Sequence, residues 1–293
     1  MIFLKINGGL GNQMFQYAAA LVLSLKHNTK VGIDLSEIEK NNGKTNFTYR
    51  DFQLDSIFKL SNYKIIPPFT YSFIINDSFF DKIKRKLIGG SYFLEKDLSY
   101  QNEFENCKKN TYIEGYFQSE KYFIGLRQDI LNQFTFNSNV NSQTKSLAEK
   151  INQKPSIAIH IRRGDYIKNK TINQTHGSCD LDYYKRALKH FDLNKYQLYF
   201  FSDDINWVKK NFDFVAKNSC NFIDWNNSTE SWQDMYLMSL CDNFIIANSS
   251  FSWWGAWLST NSNKKVIAPK VWFKDKIKNK QTNDLIPNSW ARI

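Results

Sequence analysis

IFLKINGGLGNQMFQYAAALVLSLKHNTKVGID, residues 2–34, is the stretch from which the fold class can be read. Residues 2–6 are a short apolar run that ends at a turn, the signature of a buried strand. The turn, residues 7–13, is rich in glycine. Met14, Ala18, Leu21, Val22 and Leu25 then recur at helical spacing, so a helix with one apolar face follows. Residues 30–34 supply the next strand. Strand, turn, helix and strand in this order open a Rossmann-like half. The same alternation returns beyond Pro155. Apolar runs at 157–161, 197–201, 221–223, 243–247 and 265–268 are separated by helical patterns near 181–190, 205–212, 229–240 and 252–260. Strands alternating with helices predict a parallel sheet covered on both faces.

Between these halves the chain is less regular. Residues 40–145 are rich in Asn, Lys, Phe and Tyr. Within them, residues 112–117 read as a strand end, and a helix containing Arg127 is expected from about Ser119. The polar segment 141–154 precedes Pro155 and marks a boundary, giving domains 1–150 and 151–293. No internal repeat or low-complexity tract interrupts the chain.

Composition narrows the function. The 293 residues are 42% apolar and 16% aromatic, a globular composition with enough apolar surface for two cores. Lys and Arg number 39 against 28 acidic residues, a net charge of +11. Such a surface favours polyanions: nucleotide diphosphates, anionic lipid headgroups or nucleic acid. No nucleic-acid-binding motif accompanies the charge, so nucleic acid is not expected as a partner. Cys107, Cys179, Cys220 and Cys241 form no C-x-x-C pair and read as reduced thiols. That fits a cytoplasmic protein. The opening residues read as a strand rather than a signal sequence. The apolar run 18–25 is too short to span a bilayer, although the charge permits peripheral contact with an anionic membrane.

In open α/β sheets, ligands bind beyond the carboxyl ends of the strands, and three polar motifs fall there. The first is HIRRGDY, residues 160–166, closing an apolar strand. Strand alternation puts His160 and Arg162 on one side and Arg163 on the other. Adjacent guanidinium forks suit a diphosphate, while an Arg–Asp pair at a strand end is the plainer reading. The second is DNFIIANSSFSWWG, residues 242–255, where an apolar strand runs into hydroxyls and a helix. Asn248, Ser249 and Ser250 would offer an anion site at the helix start, or simply a cap. The Trp residues there are expected in the core. The third is the Gly-rich turn itself, where Gly11, Asn12 and Gln13 present donors at a helix start. Its spacing departs from the dinucleotide fingerprint. Asp203-Asp204 lies between a strand and a helix and reads as a helix cap rather than a metal site. His176 reads as a surface residue of a polar loop.

Taken in order, these motifs resemble glycosyltransferase family 11, the α-1,2-fucosyltransferases. GGLGNQMFQYA (8–18), HIRRGDY (160–166) and NSSFSWWG (248–255) carry the resemblance, with further matches at 115–118, 201–204 and 284–290. It covers almost the whole chain, residues 60–105 being the part that does not match. The resemblance implies a GT-B-like α/β fold, two facing Rossmann-like domains with the active site in the cleft. It implies GDP-β-L-fucose bound mainly by the C-terminal domain, and an acceptor, usually a galactose-terminated oligosaccharide or lipid-linked glycan, approaching the N-terminal domain. Transfer would invert the anomeric centre without a metal or other cofactor. His160 and Asp242 would touch the nucleoside, and a carboxylate at Asp242 would accept the N1–H and exocyclic amine of guanine. Arg162 and Arg163, with Ser249 and Ser250, would stabilise the charge developing on the leaving GDP. Asp165 is the candidate base, or an orienter of an arginine, with His176 as the alternative. Two rival functions are a glycosyltransferase of other donor or linkage specificity, and a non-catalytic polysaccharide- or nucleic-acid-binding protein.

Overall fold

A computed structural model describes residues 1–41, 51–76, 78–137, 139–216 and 219–293. Contacts between Cα atoms divide the chain into two units. One is Met1–Asn137 with Asn283–Leu285; the other is Ser138–Thr282 with Ile286–Ile293. The helix Ser142–Ile151 therefore belongs to the second unit, although a boundary at 150 leaves it with the first.

The first unit is built on five strands, β1 (Ile2–Lys5), β2 (Val31–Asp34), β3 (Tyr63–Ile65), β4 (Ser91–Leu94) and β5 (Thr111–Glu114). All pair in parallel, in the order β3-β2-β1-β5-β4. Phe3 and Tyr112 face a cluster of Tyr71, Phe73 and Ile74, while the alternate β1 residues Ile2 and Leu4 are also fully buried. Burial on both sides makes β1 read as a continuous apolar run. The helix Leu10–Lys26 follows β1, as its periodicity requires, and packs on β1 and β2. The helix expected from Ser119 is broken. A 3₁₀ turn, Glu120–Phe123, and the helix Arg127–Gln133 flank Gly125, whose φ of 87° no helix accommodates.

The second unit contains β6 (Ser156–Ile161), β7 (Gln197–Ser202), β8 (Cys220–Ile223), β9 (Asn243–Ile245), β10 (Val266–Ala268) and β11 (Ala291–Arg292). They form one parallel sheet ordered β11-β10-β9-β6-β7-β8. Renumbered within the unit this is 3-2-1-4-5-6, the doubly wound dinucleotide-binding order. Its core joins Ile157, Ile159, Leu198, Phe200, Ile245 and Ile267 to Tyr183 and Tyr184 of the helix Leu181–Leu188. Trp253, Trp254 and Trp257 are buried on the helix Ser250–Leu258, as expected of core residues.

Candidate functional site

The order of the second sheet reverses between β6 and β9, and the carboxyl ends of these two strands carry the polar motifs. β6 and β9 are direct neighbours, Ile159 opposite Ile245. The chain past Ile161 therefore runs beside the chain past Ile245. Tyr166 confirms the approach, donating its hydroxyl to the Asn248 carbonyl at 3.3 Å. This is where a doubly wound sheet leaves a crevice for a ligand.

His160 is the last but one residue of β6 and is only 5% exposed. Its ring lies 5.7 Å from that of Phe251, and Nδ1 is buried with no hydrogen-bond partner among the described residues. Burial pushes the imidazole pKa down, so the ring is neutral, with Asp203 opposing the shift and Arg162 adding to it.

Arg162 Nη1 meets Asp203 Oδ2 at 3.0 Å, and the guanidinium sits 5.4 Å from the Tyr166 ring centre. Asp203 Oδ1 also accepts the Arg163 backbone N–H at 2.8 Å. Gly164 is what allows this aspartate so near. A Cβ there would stand 2.6 Å from Asp203 Oδ2. The two arginines then separate in role. Arg163 lies 3.7 Å over the Trp207 ring, and its Nε donates to Asp204 Oδ2 at 3.2 Å. Stacked and paired, it anchors the turn to the helix Ile205–Asn211, whose N-cap is Asp204. The cap expected for Asp203-Asp204 is thus present at Asp204, while Asp203 holds the arginine turn. Asp165 falls in the short helix Gly164–Lys168, and its side chain lies outside the described residues.

Beyond β9, Asn248 is 2% exposed and spends its side chain on the protein. Nδ2 donates to the carbonyls of His176, Gly177 and Trp272 at 3.1, 3.2 and 3.0 Å. Oδ1 accepts from the Cys179 thiol at 3.5 Å. Asn248 therefore builds the loop rather than presenting a donor to a ligand. His176 is likewise no free loop residue. Its ring stacks on Tyr166 at 5.0 Å and tilts against Phe273 at 5.1 Å. Ser249 is the N-cap of the helix Ser250–Leu258 but makes no side-chain cap bond. Its hydroxyl and that of Ser250 stand at a helix start, where N–H groups and the dipole favour an anion.

Asp242 requires a correction. It precedes β9 and so sits at the amino ends of the strands, not at the carboxyl ends with His160. Oδ2 accepts from the Ser156 N–H at 2.9 Å and from its hydroxyl at 3.0 Å; Oδ1 accepts from Asn261 Nδ2 at 3.3 Å. Ser156 begins β6 and His160 nearly ends it. At about 3.3 Å per residue, roughly 13 Å of sheet separates them. Asp242 ties β6 to β9 and cannot read the same nucleoside as His160.

In the first unit the Gly-rich turn is also largely structural. Gly8 adopts a φ of 75°, where an L side chain is strained. Gln13 is fully buried. Nε2 donates to the Gly8 and Asp51 carbonyls at 2.9 and 2.7 Å, and Oε1 accepts the Gln53 N–H at 3.0 Å. Both side-chain N–H groups are used, so Gln13 is not a ligand donor. Gly11 is buried within the helix Leu10–Lys26. Asn12 is partly exposed and accepts from Gln118 Nε2 at 2.8 Å.

Two features of this unit escape sequence reasoning. Glu95, just past β4, accepts the N–H groups of Tyr116 and Phe117 at 2.7 and 2.9 Å. Burial raises its pKa to about 7, against those two hydrogen bonds and that of Tyr122. It holds Phe117 at a φ of 52°. The second is a cavity of about 400 Å³ lined by Lys5, Asp34, Ser36, Tyr92, Tyr112 and Glu114, among others. Tyr112 donates to Asp34 Oδ2 at 2.6 Å, Tyr92 to Glu114 Oε2 at 2.7 Å, and Lys5 to Glu114 Oε1 at 3.0 Å. The strand ends supply a balanced set of charges and hydroxyls.

Two Rossmann-like units in one chain, each built on a parallel sheet, make up a fold of GT-B type. A solved Arabidopsis thaliana FUT1 mutant in complex with GDP shares it at 13% identity and a TM-score of 0.50, over 90% of this chain and 69% of that one. The profile described as Glycosyl transferase family 11 matches residues 1–293, and the chain belongs to that family. An Alpha-1,2-colitosyltransferase of Escherichia coli is 32% identical over 299 residues, covering 100% of this chain and 99% of its own. The O-antigen biosynthesis glycosyltransferase WbnK of Escherichia coli is 32% identical over 315 residues, covering 98% and 99%.

Proposed function

We propose that the protein is an inverting α-1,2-fucosyltransferase that moves L-fucose from GDP-β-L-fucose to a terminal galactose of a surface polysaccharide. The observation that carries this reading is the switch point of the second sheet. Arg162, paired with Asp203, follows β6, and the helix Ser250–Leu258, with no side-chain cap bond from Ser249, follows the neighbouring strand β9. As GDP leaves, negative charge grows on its β-phosphate. A fixed guanidinium and helix N–H groups stabilise that charge without reorganising. In this reading they do so without a metal, because Asp203 and Asp204 are engaged by the arginines and the helix cap. His160 backs this end of β6 with a buried, neutral ring 5.7 Å from Phe251 of that helix. The polar cavity of the first unit would take acceptor hydroxyls, since its alternating carboxylates and tyrosines match a polyhydroxylated ligand. Asp165 remains the candidate base that removes the acceptor proton. The likeness to WbnK supports a role in polysaccharide assembly.

A second reading keeps the chemistry and changes the donor sugar to colitose, favoured by the name of the 32%-identical relative. One experiment separates them. The enzyme is given each activated sugar in turn with a panel of galactose-terminated acceptors, and the linkage of any product is determined. A product α-1,2-linked from fucose supports the first reading. Transfer of colitose with none of fucose supports the second, and no transfer from either donor removes both.

A further inference from the structure

The helix Phe79–Ile88 is oriented the wrong way round for a protein surface. Phe79, Phe80, Ile83 and Leu87 form one stripe of about 100° of helix surface. An apolar stripe of this width normally faces the core. Here Phe79, Phe80 and Leu87 are 73%, 81% and 81% exposed, and none of the helix's residues is buried. The half-buried side is instead the polar one, Asp81 and Arg85. Arg85 Nε donates to the Phe73 carbonyl at 3.2 Å and Nη2 to that of Asn76, clamping this side to the preceding turn. The outward face does not come from a loose segment. Ser78 caps the start, accepting the Asp81 N–H at 3.1 Å, and Gly89 closes the end at a φ of 70°.

Charge says what covers the stripe. Lys82 and Lys86, both exposed, run along one border of it, and Lys84 lies on the other, reaching back to 4.9 Å from the Phe73 ring. The only acidic side chain on the helix, Asp81, points away from the stripe. A second copy docking through this face would bring its lysines against these. An anionic lipid surface instead satisfies both features, with the stripe entering the acyl boundary and the lysines at the headgroups. The same crossover leaves Phe69 and Ile75 exposed. Arg85 and Ile75 also line the polar cavity described above, which places that cavity beside the helix. We propose that the helix Phe79–Ile88 is an interfacial anchor that seats this chain on an anionic membrane surface.

Cosedimentation with vesicles tests this without donor or acceptor, so its outcome is independent of which sugar is transferred. The full chain is spun with vesicles of phosphatidylglycerol and phosphatidylcholine, and with phosphatidylcholine alone. Strong partitioning is expected only with the anionic vesicles. Phe80→Ser with Leu87→Ser is expected to weaken it at least about tenfold. Lys82→Gln with Lys86→Gln should weaken it by about 25-fold, at about fivefold per lysine. Both variants should transfer sugar to a soluble acceptor at the wild-type rate, showing that they fold. Absence of wild-type binding to anionic vesicles, or unchanged binding by the Phe80/Leu87 variant, overturns the proposal. So does a wild-type dimer in sedimentation velocity that this variant dissociates, since the stripe would then belong to a second copy.

Discussion

Replacing Arg162 with alanine is the most direct test of the phosphate clamp. The side chain is 25% exposed and held 3.0 Å from Asp203, so its fork has a fixed direction before any ligand arrives. A unit charge about 4 Å from a phosphate oxygen is worth about 4 kcal/mol at an effective dielectric of about 20. Removal of one preorganised donor at a developing oxyanion costs about 3–4 kcal/mol. The two routes agree, and they correspond to a hundred- to thousandfold fall in kcat/KM for the nucleotide sugar. Some of the loss should appear as weaker GDP binding, because the diphosphate is charged before the bond breaks. Arg162→Lys keeps the charge and loses the fork, and it should also be poor. The assay is the initial rate of GDP release across donor concentrations, with circular dichroism and Tm confirming the fold. A folded Arg162→Ala enzyme within threefold of wild-type kcat/KM would refute the clamp.

Other outcomes follow from the same contacts. Asp242→Asn should lower stability by roughly 1–3 kcal/mol, because a carboxylate linking β6 to β9 is lost. Its selectivity for GDP- over ADP-sugars should be unchanged; a loss of guanine preference in a stably folded variant would restore Asp242 to the nucleotide site. Glu95 has a folded-state pKa raised to about 7, so the folded protein binds the extra proton between its unfolded value and 7. Stability from this group is therefore full at low pH and is lost as pH rises through about 7. Glu95→Gln should become more stable relative to wild type between about pH 5 and pH 8, by roughly 2–3 kcal/mol; denaturant melts showing a constant difference would contradict this. Asp165→Asn should lose kcat with GDP binding kept if the residue is a base, and lose both if it orients an arginine. Wild-type transfer across about pH 6–8 removes both roles. Turnover should survive EDTA; complete loss, restored by Mn²⁺ or Mg²⁺, would show that the Asp203-Asp204 pair or another group holds a metal.

Local order was legible in the sequence. The strands β1, β2, β6, β7, β9 and β10, the helix Leu10–Lys26 and the core position of Trp253 and Trp254 all follow from periodicity and turns. So does the clustering of polar residues past β6 and β9, because chain direction alone assigns the carboxyl end of a strand. By that rule Asp242, which precedes its strand, belongs to the opposite end, where the structure has it. The fate of the amides was not legible. Gln13 bonds a carbonyl 38 residues away, and Asn248 bonds carbonyls 71 and 72 residues before it, and only the folded chain brings such groups together. The same holds for Glu95, whose pKa is raised by burial that its neighbours in sequence do not determine. The helix Phe79–Ile88 shows the division most clearly. Its sequence specifies an apolar stripe, and the stripe alone predicts a core-facing helix. Which side of a helix meets the protein depends on what it packs against, and here Arg85 and Asp81 take that side and leave the stripe to the solvent.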